Sequence, residues 1–233
     1  MKNSIEAILL LAKYNFKVVF GGRYIVFMII SLLLFCYLLF NSAYSGEALS
    51  EITVNNNLIF PSLLLIFYPA TYGIQKDEES KILEIFFCIP NYMYKVWLLR
   101  LLFVFIACFF NVLLFSYLAH LLLCPVNILP MTYHVMFVVI FFGSLAFFLS
   151  TFIKSGNGVA IILLGLLALL TVLSSLYENT MWDVMLNPFK EPTDIHPDIW
   201  QSTIINNRLL LIGSSVALLL ISLNNLRRRE SLL

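Results

Sequence analysis

Residues 75–91, QKDEESKILEIFFCIPN, form a short charged segment caught between two long apolar runs. Lys76, Asp77, Glu78, Glu79, Lys81 and Glu84 crowd into about three helical turns, while Ile82, Ile85, Phe86 and Ile89 recur at three- and four-residue spacing. That spacing predicts an amphipathic helix with one apolar stripe. Pro90 stops it, because its ring removes a backbone donor and pushes the preceding residue out of the helical region. A helix of this kind at a membrane surface is one of the few ways a protein with almost no soluble mass can meet a soluble partner.

The surroundings are membrane in character. The chain has 233 residues, 61% of them apolar and 12% charged, and its mean hydropathy is +0.94. A soluble domain is about 45–50% apolar and about a quarter charged, so lipid must be the solvent for much of this surface. The net charge of +1 comes from basic residues distributed along the chain, which argues against nucleic acid as a partner. Cys36, Cys88, Cys108 and Cys124 are scattered and suggest neither a disulfide framework nor a metal site. The N-terminal region reads as a retained first span, since its polar start is too long for a secretory signal and no small-residue cleavage pattern follows.

Working outward, residues 4–20 predict a helix lying in the interface, with Ile5, Ile8, Leu9, Ala12, Phe16, Val19 and Phe20 on its apolar side and Glu6, Lys13 and Lys17 opposite. Gly21-Gly22 ends it. Residues 24–44 carry no charge and are long enough for a hydrocarbon core of about 30 Å. A loop over 45–56 precedes a second span, 57–74, which contains Pro61 and Pro69. The carbonyls freed by those prolines need donors, and Tyr68, Thr71 and Tyr72 are nearby. No Asp, Glu, Lys or Arg occurs over 101–153. That is too long for one crossing, and Cys124-Pro125 and Leu129-Pro130 supply the break between spans at 96–123 and 133–152. A turn at 154–158 leads to a fifth span, 159–177. Residues 178–207 form the longest polar stretch, held near the interface by Trp182, Phe189 and Trp200, and 208–226 makes the sixth span.

The expected fold is therefore all-α: one polytopic membrane domain of six transmembrane helices with an N-terminal interfacial helix and both termini cytoplasmic. Lys2, Lys13, Lys17, Arg23, Lys76, Lys81, Lys95, Arg100, Lys154 and Arg227–Arg229 then lie inside, leaving Lys190 outside and Arg208 at the outer edge. This is the positive-inside asymmetry.

Catalytic signatures are missing from the sequence. It contains no P-loop, HExxH or GxSxG. The Glu78-Glu79 pair lies outside the expected bilayer and lacks histidines in facing spans, which rules out an intramembrane protease of that kind. His120, His134 and His196 read as packing or interfacial residues. Ionisable groups are almost absent from the spans, which argues against an ion-coupled carrier or pump. Asn111, Ser116, Tyr117, Ser144, Ser150 and Thr171 are too thin a polar set for an ion channel, and such residues commonly bond between helices. A pathway walled by Phe, Leu, Tyr and small residues suits an amphipathic or lipid-like passenger, with Tyr68, Thr71, Asn111, Ser116, Tyr117 and Ser144 as its candidate lining. The chain holds no fuel of its own, so energy must enter from elsewhere.

This layout resembles the permease subunits of the type-two ABC exporter family. The local match is YPATYGIQKDEESKILEIFFCIPNYMYKVWLLRLL, residues 68–102. There Glu78-Glu79 stand for the family's acidic–basic lead, Lys81-Ile82-Leu83-Glu84 for its Gly-Thr-Leu-Glu-like run, Phe86-Phe87 for its Leu pair, and Pro90 and Lys95 for the entry to span three. Leu186-Asn187-Pro188-Phe189 is similar to the family's outer-loop turn, and Asn207-Arg208-Leu209-Leu210-Leu211, leading to the arginine triplet, to its last span. Ser80-Lys81 replaces the Gly-Thr pair and phenylalanines replace the leucines.

The resemblance implies a half-transporter in a bacterial cytoplasmic (inner) membrane, with no catalysis in this chain. Two copies of a separate ATPase would carry ATP and Mg2+, and a second permease, identical or homologous, would complete the pathway. Glu78, Glu79, Lys81, Ile82, Glu84, Ile85, Phe86, Phe87, Ile89 and Pro90 would form the coupling helix, with Ile82, Ile85, Phe86 and Ile89 as its apolar contacts. The alternative is a membrane anchor or assembly subunit that transports nothing.

Overall fold

The computed structural model describes residues 24–46, 49–79, 93–153 and 155–230, and these are mostly helical with no strand among them. The helices are α1 (Tyr24–Tyr44), α2 (Glu51–Glu79), α3 (Leu99–Leu122), α4 (Ile128–Phe152), α5 (Gly156–Val172), the one-turn α6 (Ser174–Tyr177) and α7 (Pro197–Glu230), with a π-helical turn, Met93–Leu98, leading into α3. Five of them, α1 to α4 and α7, are long and apolar enough to cross a membrane. The chain is a multi-pass helical membrane protein.

The helices alternate in direction between two ends of the bundle. At one end, Ile74 of α2, Trp97 and Leu101 at the start of α3, Phe147 of α4 and Leu226 of α7 share an apolar cluster. Phe27, near the start of α1, stacks on Tyr68 of α2 with ring centroids 4.7 Å apart. At the opposite end Asn57 donates to Ser42 of α1 at 3.0 Å. Glu51 accepts from the backbone and side-chain nitrogens of Asn127, at 2.7 and 3.0 Å. These are called the Gln75 end and the Asp183 end below.

The α2–α4 pair is the centre. Leu65, Ile66, Val135, Met136 and Val139 belong to the largest buried cluster, joined by Val104, Ala107, Val112 and Phe115 of α3. Gly143 is required here: a Cβ would run into Ile66 Cδ1 and come within 2.7 Å of Phe105 Cε1. The bare backbone lets α2 and α3 close on α4, and any side chain there overpacks a filled site. The outward faces of α1 and α3 carry exposed Ile25, Leu33, Phe40, Leu102 and Phe110, as expected where lipid replaces water.

Several boundaries differ from the sequence reading, each for a local reason. The second helix begins at Glu51 rather than 57 and runs without a break through Gln75 to Glu79. Inside it Thr71 donates to Phe67 O at 2.7 Å, Ser62 to Leu58 O at 2.6 Å and Ser31 of α1 to Pro61 O at 2.7 Å. Of the three donors proposed for the proline kinks, only Thr71 serves the helix backbone. Tyr72 reaches another helix instead, and Tyr68 contributes its ring. Pro130 does not break the fourth helix. It sits in the first turn of α4, where a missing N–H costs nothing, so α4 begins five residues earlier than the expected 133. The expected fifth span, 159–177, is a 17-residue helix starting at Gly156, with Ser155 as its cap, followed by α6. The polar stretch 178–207 is loop only as far as His196. Pro197 then opens α7, as its fixed φ favours, and Arg208 lies well inside a helix instead of at its edge. At 34 residues, α7 extends about 51 Å.

The interfacial helix expected over 4–20 lies outside the described residues.

Candidate functional site

Two features converge on the seam between α2 and α5. The first is a lock at the Gln75 end. Tyr72 Oη donates to Asn157 Oδ1 at 2.5 Å, and Gly156 N donates to Gln75 Oε1 at 2.5 Å. Gly156 permits the approach, since a Cβ would lie 2.5 Å from Tyr72 Cδ1 and 2.7 Å from Gln75 Oε1. The first residues of α5 are thereby tied to the last membrane turn of α2, from which the charged run departs. Glu78 and Glu79 lie on the backbone of α2. Lys81, Ile82, Glu84, Ile85, Phe86, Phe87, Ile89 and Pro90 lie outside the described residues.

The second feature is a groove along the same seam. Between α1, α2 and α5 an apolar cavity of about 420 Å³ is lined by Phe27, Leu63, Phe67, Tyr68, Thr71, Tyr72, Leu164 and Leu167, among others. Its wall is aromatic because Tyr68 stacks on both Phe27 and Tyr72, the latter at 5.4 Å. Phe60 also lines a second cavity of about 370 Å³, under the loop at the Asp183 end. That vestibule is mixed in character: Phe60, Tyr177 and Trp182 stand with Asn56, Glu178, Asp183 and Lys190. Lys190 Nζ pairs with Glu178 at 2.6 Å. Asp183 Oδ1 accepts from Met185 N at 3.0 Å. Burial lifts the Asp183 carboxyl above its ordinary value and Glu178 adds to the lift, against the Met185 N–H, Arg208 and Lys190.

The loop over the vestibule is held by buried amides and one buried arginine. Asn187 Nδ2 donates to Ile52 O and Asn56 Oδ1 of α2, at 2.9 and 2.8 Å, and its Oδ1 accepts from Phe189 N at 3.0 Å. Asn207 Nδ2 donates to Met181 O and Asp183 O, at 2.9 and 2.8 Å. Arg208, 5% exposed, donates to His134 Nδ1, Asn207 Oδ1 and Leu186 O, at 3.3, 2.9 and 3.0 Å. Its guanidinium lies 5.6 Å from the centre of the Phe137 ring. The Asn-Pro-Phe turn is thus a clamp joining the loop to α2, α4 and α7.

Of the six expected pathway residues, only Tyr68 and Thr71 line the groove. Asn111 is buried and donates to Ala107 O of its own helix at 2.7 Å. Ser116 meets Thr132 across the α3–α4 contact at 3.5 Å. Ser144 is fully buried in α4, and its hydroxyl has no hydrogen-bond partner among the described residues. Tyr117 is 47% exposed on the other side of α3. These four belong to packing or to the outer surface, away from the groove. The determinants of the groove, Phe60, Leu164 and Leu167, and of the vestibule, Trp182 and Asp183, carry no motif. Trp182 alone gave a signal, as an interfacial aromatic.

Among the described residues no group of His, Cys, Asp and Glu is arranged to hold a metal. His120 bonds Val126 O at 2.9 Å, His134 serves Arg208, and His196 lies 3.5 Å from Asp198. No protein-family model, curated protein or solved structure matches the chain.

Proposed function

We propose that this chain is the permease subunit of an ATP-driven exporter in a bacterial cytoplasmic membrane, moving an amphipathic or hydrophobic substrate. It crosses the bilayer six times with both termini in the cytoplasm, and the Gln75 end faces the cytoplasm. A separate ATPase, in two copies, supplies ATP and Mg2+, and a second permease, identical or homologous, completes the translocation unit. The chain performs no covalent chemistry itself.

One observation carries this reading. The helix that walls the groove continues unbroken into the charged run at Lys76–Glu79, and at that junction it is bonded to the first turn of α5, the opposite wall. A push delivered to the charged segment reaches both walls of the groove at once. Rigid helices tied at one end convert such a push into a change of groove width, and ATP-driven closure of the motor supplies the binding energy that biases the two states.

The test is isolation of the full chain from its native membrane in mild detergent. A stoichiometric ATPase is expected to accompany it, and replacing Glu84 and Phe86 together should leave ATP hydrolysis running while transport stops. Full transport by the double variant, or a complex holding only proteins without nucleotide-binding motifs, would overturn the reading in favour of an anchor or assembly subunit.

A further inference from the structure

Groove and vestibule both have Phe60 in their walls, and both are lined by residues of α2 and α5. From Phe60 to Tyr72 the α2 wall is about 18 Å long at 1.5 Å per residue, enough for an extended alkyl chain. That wall offers no charged group, whereas the vestibule beyond it holds three. A cavity with one apolar arm and one charged chamber has the shape and polarity of a single amphiphile.

The sign of the head follows from the charges that face the chamber. Glu178 and Asp183 are acidic and Lys190 is basic, so the lining carries an excess of negative charge. Lys190 is engaged by Glu178, and Arg208 is buried with bonds to His134, Asn207 and Leu186. Both cations act on Asp183 at longer range, but neither forms an ion pair with its carboxylate among the described residues. Tyr177 and Trp182 add aromatic rings to the same chamber, and ring faces attract alkylammonium groups. An anionic head would face the part-buried Asp183 carboxylate with Lys190 already engaged by Glu178, and like charges cost most where water is displaced.

We propose that groove and vestibule together bind one cationic amphiphile, its alkyl chain along the α2–α5 seam and its ammonium head between Asp183 and the Tyr177–Trp182 rings. Burial makes the Asp183 carboxyl reluctant to ionise, and the positive charge of such a head offsets that penalty by favouring the carboxylate. This site deepens the exporter reading by naming the class of passenger. Binding needs no motor, so the two can fail separately: loss of the site leaves ATPase association untouched, and the reverse.

The experiment is equilibrium binding of radiolabelled hexadecyltrimethylammonium, hexadecylphosphocholine and hexadecyl sulfate to the purified full chain in nanodiscs. Saturable binding of the ammonium probe is expected, about tenfold tighter than that of the sulfate probe. Asp183→Asn keeps an oxygen for the Met185 N–H, so the loop stays formed, and it should weaken the ammonium probe about tenfold while leaving the sulfate probe unchanged or improved. Leu164→Trp fills the groove and should abolish saturable binding of the ammonium probe. Equal or tighter binding of the sulfate or phosphocholine probe, an unchanged Asp183→Asn affinity, or non-saturable uptake by wild type would each overturn the proposal.

Discussion

Helices α4 and α5 are both apolar, yet the bundle treats them in opposite ways. In α4, 14 of 25 residues are buried, and the helix packs against α2, α3, α5 and α7. In α5, 3 of 17 are buried, namely Gly156, Val159 and Leu163. The first is a fixed post: Gly143 admits its neighbours to backbone contact and Arg208 clamps its far end. The second is a wall held mainly by its first turn, through Tyr72 and Gln75. Hydrophobicity therefore does not tell a central helix from a peripheral one in a membrane, where lipid satisfies an apolar side chain as well as protein does. What separates them is close backbone approach and polar bonds between helices.

That contrast can be broken experimentally, and the largest effect is expected at the clamp. Arg208→Met leaves Leu186 O and Asn207 Oδ1 without their donor, which should lower stability by about 3 kcal/mol in a detergent unfolding titration. A loss below about 1 kcal/mol would show that α7 is held by packing alone. Gly143→Val drives a branched side chain into Ile66 and Phe105, and about 2 kcal/mol of destabilisation is expected.

A smaller effect is expected from Gly156→Ala. Its methyl displaces Tyr72 and Gln75, loosening α5 at a cost of about 1 kcal/mol. Hydrogen exchange should then quicken in α5 and not in α4, and equal quickening in both would erase the distinction drawn between them.

Asp183 adds a pH dependence to the loop. Folded, its carboxyl titrates above the ordinary 3.8 because burial resists its ionisation. The folded chain thus holds that proton more tightly than the unfolded one. The stability it contributes is complete below pH 3.8 and is lost as pH rises through the raised folded value, staying flat above it. Asp183→Asn should lack that decline, so subtracting its stability curve from the wild-type curve should isolate it, and a difference curve flat across the interval would show that Asp183 is solvated. The smallest effect is expected from Glu178→Gln. Both partners of its ion pair are about half exposed, at 52% and 51%, so the change in stability should stay under about 0.5 kcal/mol in the same titration.

Helix existence was legible wherever an uncharged run was long enough to need it, as over 24–44 and 101–153. Ends were less legible. Glu51, Asp198 and Trp200 look like loop residues by polarity or by interfacial character, yet each sits within a helix, since Glu51 gains Asn127 as a partner and Pro197 fixes the start of α7. The candidate site was legible only in part. Tyr68 and Thr71 reached the groove, while Asn111, Ser116 and Ser144 share their polarity but face the core. Facing is set by helix rotation, and in spans this uniformly apolar the sequence carries little periodicity from which rotation could be read.

The sequence alone determined that this chain is helical and lives in a membrane, because an uncharged run of twenty residues has no stable place in water and no backbone option in lipid but the helix. Tertiary structure alone decided which helix is the post and which the wall, that Arg208 is a clamp rather than an edge marker, and that Phe60 stands in the walls of two cavities. Those outcomes depend on which atoms meet across helices: a missing Cβ at Gly143 or Gly156 and a hydrogen bond from Tyr72 to Asn157 weigh more than any residue's own preference.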